Sequence, residues 1–435
     1  MVKNTRYTVI LLFLFIFSSC NNKSEEETEM TVEKWENDIE NLFNTLKSKH
    51  INLYHSLPEI EMEQAVDSLL KNLPDLSDDQ IFIRLSKIIR SLDDSHTGIW
   101  AQPKFYNTYP LEFFIFSDTE IRVLRTPKDY PELLGAKLVG IDNTTLNEII
   151  SKVLLVIQCA DNWYSERDRL ARYLKYSKVL KALEITNEGE SANFEFILEN
   201  GTYKTIKLEA LPQTEYLASL KDPINLESPF SFEESLIGTP YLWYQPIDKL
   251  KTGYLYFAAY PSALQMRRFA VALSRDVIQR GTKNIIIDVR DNGGGNFYVG
   301  LELIKLLSST DQIDWKNGVY VITGRKTYSA GMSNTAHFKE LLNAKIVGER
   351  TGGNPNDYQD AEMFQLQNSK LQVQFSKRYY RFQDTISNGI IPDVHIKPSW
   401  KMLNNKIDAN IKWVLEDIKQ NEDNKSQFTT MYKRH

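Results

Sequence analysis

The amino-acid sequence predicts an α/β fold, and three patterns predict it. Apolar residues recur at helical spacing across residues 31–92, strand candidates crowd residues 106–212, and from Thr252 onward strands and helices alternate. At 435 residues the chain is long for one hydrophobic core, so two or three domains are expected. Charged and apolar fractions are ordinary for a soluble globular protein. The net charge of −5 is modest and no long basic run is present, which argues against a nucleic-acid partner.

Residues 1–20 read as a secretory signal. Lys3 and Arg6 form a positive start, residues 9–17 are apolar but too short to span a bilayer, and Ser18-Ser19-Cys20 follows. Small residues before a cysteine resemble a bacterial lipobox, with cleavage before Cys20 and lipid on that cysteine. Phe17, where an aliphatic residue is usual, departs from the pattern. A plain signal peptide with an incidental cysteine is the alternative. Several acyl chains anchor stably where one is marginal, at ~0.8 kcal/mol per buried methylene. Residues 21–30 are polar and acidic and read as a flexible tether. The acidic residues resemble surface-export signals of some Gram-negative lipoproteins. The expected location is the bacterial cell envelope, lipid-anchored at the outer membrane and facing the periplasm or the exterior. With Cys20 lipidated only Cys159 remains, so no disulfide framework or cysteine metal site is expected.

Residues 31–105 are expected to form an N-terminal helical region. Val32, Trp35, Ile39, Leu42 and Leu46 keep helical spacing. Met62, Ala65, Val66, Leu69 and Leu73 do the same until Pro74 stops the run. Ser77 and Gln80 form a capping box ahead of Ile81, Leu85, Ile88 and Leu92. These helices are expected to cap a catalytic domain.

Residues 106–212 read as a PDZ-like, β-rich module. Residues 111–116 and 121–124 are strand candidates, and Lys137-Leu138-Val139-Gly140-Ile141-Asp142-Asn143 has the strand-and-turn pattern of a PDZ-like unit. Residues 194–198 and 203–208 flank Asn200-Gly201, a hairpin turn signal, and a helical insert lies around residues 165–183. PDZ domains capture peptide ends by adding a strand to a sheet edge. No clear carboxylate-binding glycine loop is visible, so capture and scaffolding both stay open.

Residues 213–250 read as a connector and residues 251–420 as the catalytic core. Strands are expected at 253–258, 284–289, 319–322 and 345–347. Helices are expected at 266–279, closed by Gly281, and at 297–307 and 329–342. A later strand spans 372–380 and a terminal helix 407–418.

Two strand ends in this core carry chemistry. Ser329, in Thr327-Tyr328-Ser329-Ala330-Gly331, stands where a helix begins, and a helix N-terminus offers unpaired N–H groups and a positive dipole end. Its hydroxyl can face a cleft while the Ala330 N–H points at a developing oxyanion. An N-cap serine without a catalytic role is the other reading. Gly293-Gly294-Gly295 ends the neighbouring strand, where glycines let backbone N–H groups approach a substrate closely. The loop is not a phosphate loop: no Gly-Lys-Ser/Thr follows, and Tyr298 stands where Gly-x-Gly-x-x-Gly needs its last glycine. Asp288 and Arg290 are expected to pair and hold the turn. A serine nucleophile needs a base. Of six histidines, His96 in the polar turn Asp93-Asp94-Ser95-His96-Thr97 is the candidate, while His337 lies two helical turns beyond Ser329.

Four segments in order, Asp288–Gly295, Thr327–Gly331, Gly348-Glu349-Arg350-Thr351-Gly352-Gly353 and Gly389-Ile390-Ile391-Pro392-Asp393, resemble the C-terminal-processing/tricorn peptidase family. The resemblance covers residues 250–400 well and, through the upstream helices, Asp94-Ser95-His96-Thr97 and the PDZ-like module, most of the mature chain. It implies a ClpP/crotonase-like catalytic core. It also separates two catalytic variants. In Ser/Lys members a lysine follows Gly-x-x-Thr-x-Gly, and here that position is Asn354. Tricorn-like members use a histidine preceded by serine upstream of the PDZ module, as Ser95-His96 is. The resemblance therefore implies Ser329 as nucleophile, His96 as general base and Ser95 as an orienting hydroxyl. Tricorn-like sites add a glutamate shortly before Gly-x-x-Pro-Asp. Ile386 occupies that place here, and Asp384 is the nearest acid available to substitute.

The sequence thus predicts an envelope serine endopeptidase acting on peptide or protein substrates through an acyl-enzyme. Gly294 and Ala330 supply the oxyanion hole, and no metal or cofactor is expected. A non-catalytic peptidase-like binding protein is the alternative, favoured by the missing glutamate. Acyl-CoA chemistry is disfavoured by the secretion signal, because CoA is cytosolic.

Overall fold

The computed structural model describes residues 29–101, 106–224, 226, 230–235 and 237–432; the signal, Cys20 and the tether up to residue 28 lie outside the described residues. Three helices open the chain: α1 (Val32–Lys49), α2 (Glu59–Asn72) and α3 (Asp78–Ser91). Thr31 caps α1, and the Ser77/Gln80 capping box closes the start of α3 as the sequence predicts. Their apolar faces do not form a closed bundle. Ile39, Leu42, Leu46, Leu85 and Ile89 share one core with Ile99 of β1 (Gly98–Trp100) and with Val373 and Phe375, far along the chain.

The β-rich module follows. Strands β2 (Glu112–Ser117), β3 (Glu120–Arg125), β4 (Lys137–Ile141), β5 (Thr144–Thr145), β6 (Ser191–Ile197) and β7 (Tyr203–Glu209) form an antiparallel sheet in the order β2-β3-β4-β6-β7, with β5 on β4. Helices α4 (Leu146–Leu154), α5 (Trp163–Tyr173) and α6 (Ser177–Ala182) lie between β5 and β6, and α7 (Gln213–Ser219) follows β7. Leu111, Ile115, Ile121, Val123, Phe194 and Phe196 fill its core. The Asn200-Gly201 turn joins β6 to β7 with Gly201 at φ +85°, a left-handed conformation that costs glycine little.

The C-terminal part of the chain builds a seven-stranded mixed sheet, the core sheet, in the order β16-β13-β12-β11-β10-β9-β8. Its strands are β8 (Ile237–Thr239), β9 (Leu242–Ile247), β10 (Thr252–Phe257), β11 (Asn284–Asp288), β12 (Val319–Thr323), β13 (Lys345–Gly348) and β16 (Val394–His395). The five from β10 to β16 run parallel, whereas β8 and β9 pair antiparallel at one edge. So the segment 237–247, inside the expected connector, supplies two strands. Helices α8 (Ala263–Arg280), α9 (Phe297–Ser308) and α10 (Ala330–Leu342) cover one face. The other is covered by α12 (Ala409–Tyr432), which follows the short α11 (Trp400–Asn404). Ile285 and Ile287 pack toward α8 and α9, Ile286 toward α12, which is why β11 is apolar on both alternations.

Strands β14 (Asn356–Gln365) and β15 (Gln372–Arg381) leave this sheet. They pair as a long hairpin, and β15 takes β1 as its other neighbour, Gly98 opposite Gln374. This three-stranded sheet joins the helical segment to the core.

The expectation of a ClpP/crotonase-like core is corrected by this architecture. The fold is α/β with mixed sheets, and beside the core sheet stands a second sheet to which the N-terminal segment contributes β1. The motifs behind the expectation lie at strand ends. They set local turn geometry, while layer arrangement and strand order follow from packing between residues far apart in sequence.

Candidate active site

Ser329 ends the turn after β12 and precedes α10. Its backbone adopts φ 48°, ψ −125°, a region strained for a residue with a Cβ, at a typical cost of about 1–3 kcal/mol. The side chain makes no capping bond to α10, so the N-cap reading fails. Instead Ser329 Oγ lies 2.9 Å from His96 Nε2. Asn292 holds the turn: its carbonyl accepts the Tyr328 N–H at 3.0 Å, and its side chain donates to the Phe257 carbonyl at 3.0 Å. Thr327 Oγ1 donates to the Val289 carbonyl at 2.8 Å. Ser329 is thus fixed against the ends of β10 and β11.

Gly294, at φ +121°, lies against the nucleophile; a Cβ there would come 2.7 Å from Ser329 Cβ and 3.2 Å from its Oγ. Its N–H donates to Asn292 Oδ1 at 3.1 Å. The Ala330 N–H has no acceptor among the described residues and opens the helix beside Ser329 Oγ.

His96 stands on a turn held from several directions. Asp94 accepts from the His96 N–H at 2.7 Å, Thr97 Oγ1 at 3.0 Å, Ser376 Oγ at 2.7 Å and His50 Nε2 at 2.6 Å. His50 Nδ1 accepts the Asn52 N–H, which assigns the ring proton to Nε2. Burial opposes charge on Asp94, but the bonds from His50, His96 and Ser376 outweigh it and hold the carboxyl below its ordinary value. Gln374 Nε2 donates to the His96 carbonyl at 2.8 Å. The Tyr328 ring stacks beside the imidazole at 5.7 Å between centroids, its hydroxyl donating to the Cys159 carbonyl at 2.8 Å. Arg169 lies 4.5 Å over the other part of this stack, the Tyr328 ring. Burial drives His96 down to about 4; Asp94 opposes the shift and Arg169 adds to it. The imidazole is therefore neutral at physiological pH and able to accept a proton. Ser95 Oγ lies 2.8 Å from His96 Nδ1.

Ser329, His96, Ser95, Gly294 and Ala330 thus converge. Asp384 does not: its side chain is fully in solvent and pairs with Arg381 at 3.2 Å. Ile386 is 96% exposed on the same loop. Asn354 turns its Oδ1 to the Asn356 N–H. Asp288 and Arg290 pair as the sequence predicts, and Asp408 joins them. Glu349 is bound by Arg325, which also donates to the Ile115 carbonyl of β2, so it braces the core against the β-rich module. Sequence reasoning missed Asn292 as the bracket of the nucleophile turn and His50 as the partner of Asp94. Asn292 lay inside a quoted motif; His50 carried no local signal. Among the described residues no cluster of His, Cys, Asp or Glu could hold a metal ion, and no helix is long and apolar enough to cross a membrane.

Comparisons with known proteins bear on the segment around Ser329 and on the fold. Residues 307–396 match the model of Peptidase family S41, a segment that contains Ser329 and not His96. No curated protein matches the chain. Among solved structures, mature CPAF complexed with lactacystin is 14% identical, with a TM-score of 0.61 over 89% of this chain and 100% of that one. Mature CPAF alone is 13% identical, with a TM-score of 0.60 over 89% and 98%. At such identities the likeness is one of fold. It places the architecture with these α/β structures of mixed sheets and completes the correction of the ClpP/crotonase expectation.

Proposed function

We propose that this chain, whose residues 307–396 match Peptidase family S41, is a serine peptidase that cleaves peptide or protein substrates by attack of Ser329 with His96 as general base. The observation that carries the assignment is the 2.9 Å approach of His96 Nε2 to Ser329 Oγ from opposite parts of the chain. His96 takes the hydroxyl proton as Oγ adds to the scissile carbonyl. The new oxyanion receives the Ala330 N–H and the Gly294 N–H; one such donor is typically worth ~10²–10³ in rate. As the intermediate collapses, the imidazolium gives its proton to the departing amine and leaves an ester on Ser329. Water, deprotonated by the same ring, then hydrolyses the ester. Asp94 stabilises the transient imidazolium against burial.

Cys20, outside the described residues, supports a finer reading of location: a lipid anchor and a short acidic tether holding the peptidase at the bacterial envelope. A fluorophosphonate probe tests the chemistry. It should label the parent protein at Ser329 and fail on folded Ser329→Ala. No labelling of folded parent protein would return the binding-protein reading, and labelling that survives Ser329→Ala would point to another serine such as Ser333, whose Oγ donates to the Ser329 carbonyl.

A further inference from the structure

Helix α8 covers the core sheet and turns Met266, Phe269, Ala270, Leu273 and Val277 inward. The outward face of such a helix is ordinarily polar. On α8 it is apolar and cationic instead. Leu264, Val271 and Ile278 are 57%, 38% and 51% exposed. They recur at a spacing of about two helical turns, so they form one outward line about 21 Å long. Arg267, Arg268 and Arg275 are exposed along the same line. Arg267 pairs with Glu302 of α9 at 2.6 Å. Among the described residues Arg268 and Arg275 pair with no carboxylate. The only acid of α8, Asp276, is largely buried and binds Arg280 at 2.9 Å. The ridge thus holds aliphatic side chains and guanidinium groups without an acid, in a chain whose net charge is −5.

What covers such a ridge must take apolar tips out of water and supply negative charge beside them. A bilayer with anionic headgroups does both at one depth. Aliphatic tips enter the boundary between headgroups and acyl chains, and arginines reach the phosphates above it on their long stems. Size argues in the same direction. A helix face about 21 Å long and 10 Å wide offers roughly 200 Å², well short of the ~800 Å² that each partner buries in a stable protein complex.

We propose that the outer ridge of α8 seats this protein on an anionic membrane surface, with Leu264, Val271 and Ile278 in the headgroup boundary and Arg268 and Arg275 on lipid phosphates. The inference draws on the envelope location read from Cys20 and is independent of the peptidase reading. Seating by one ridge is weak, but a chain tethered to the same surface meets it at high effective concentration, and weak contact then suffices. The ridge also begins close to the candidate site. Tyr260, just ahead of α8, packs against the glycine loop: a Cβ on Gly295 would come 2.6 Å from its ring. A seated chain thus keeps that loop near the bilayer.

Flotation of the full mature chain with vesicles tests the proposal, with Cys20→Ser so that no acyl group contributes. The chain should bind vesicles of equimolar phosphatidylcholine and phosphatidylglycerol, and pure phosphatidylcholine at least ~10-fold less. Arg268→Glu with Arg275→Glu should lower binding to the mixed vesicles at least ~10-fold. Val271→Asp should lower it ~10-fold by removing an apolar tip. These positions are exposed, so urea midpoints should match the parent. If the double reversal does not fold, Arg268→Gln with Arg275→Gln decides, and it must lower binding ~5-fold or more. No binding by the parent, equal binding to both vesicles, or parental binding by a folded ridge variant overturns the proposal. A dimer in solution that Val271→Asp dissociates makes the ridge a contact between copies and also overturns it. Palmitate labelling of Cys20 reports the anchor separately: labelling without vesicle binding fails the ridge alone, and vesicle binding without labelling fails the anchor alone.

Discussion

The turn that carries Ser329 is bracketed by Asn292, Val289 and Phe257 at neighbouring strand ends of one sheet, whereas His96 stands on a turn gripped by three distant parts of the chain. Asn292, Val289 and Phe257 hold Ser329, the proposed nucleophile, within the α/β core. His50 at the end of α1, Ser376 and Gln374 on β15, and Tyr328 beside the ring hold His96, the proposed base. The nucleophile side can therefore form wherever the core sheet forms. The base side exists only when the helical segment, the β14–β15 hairpin and the core have docked. The strain at Ser329 belongs to the first side and the buried neutral imidazole to the second, so the two halves should respond to different perturbations.

The largest effect should come from crowding the nucleophile while sparing the base. Gly294→Ala would place a methyl 2.7 Å from Ser329 Cβ on a backbone at φ +121°, and should cost ~10²–10³ in acylation rate, read by probe labelling. A parental rate would show that the glycine loop does not border the reacting carbonyl. Next in size is a pH effect confined to the base side. His96 has a folded pKa near 4, below its ordinary value of 6.5, so between these values the unfolded chain binds a proton that the native ring refuses. That contribution lowers stability as pH falls through the window, by about 3 kcal/mol once both forms would be protonated. Denaturant melts of His96→Gln should show a shallower acid loss than the parent; equal slopes would mean that the imidazole is not held neutral. The smallest effect belongs to Asp384→Asn. An exposed pair with Arg381 should leave labelling unchanged and stability within about 0.5 kcal/mol. A large loss of activity would restore Asp384 to the site.

Much of the nucleophile side was legible in the sequence, because a serine at a strand-to-helix turn and a triple glycine at the adjacent strand end are local patterns. The helical segment was legible for the same reason: periodicity and the Ser77/Gln80 box are written within a few residues. Strands β8 and β9 were not, since three to six residues in a turn-rich stretch carry little period, and their apolar faces make sense only against β10. The groups that hold the turn of His96 were not legible either: Ser376 and Gln374 lie in no motif, on a strand far along the chain.

By itself, then, the sequence supplied candidates: a serine at a strand-to-helix turn and a glycine loop beside it, which are local patterns, and, through a family resemblance, His96 in place of a lysine at position 354. Only the tertiary structure decided which groups hold the turn of His96, that the Gly294 N–H bonds to Asn292, and that the hairpin β14–β15 pairs with β1 instead of extending the core sheet. These depend on contacts such as that between Ser95 and Tyr358, 263 residues apart, which form through packing of whole layers and leave no trace in the spacing of neighbouring residues.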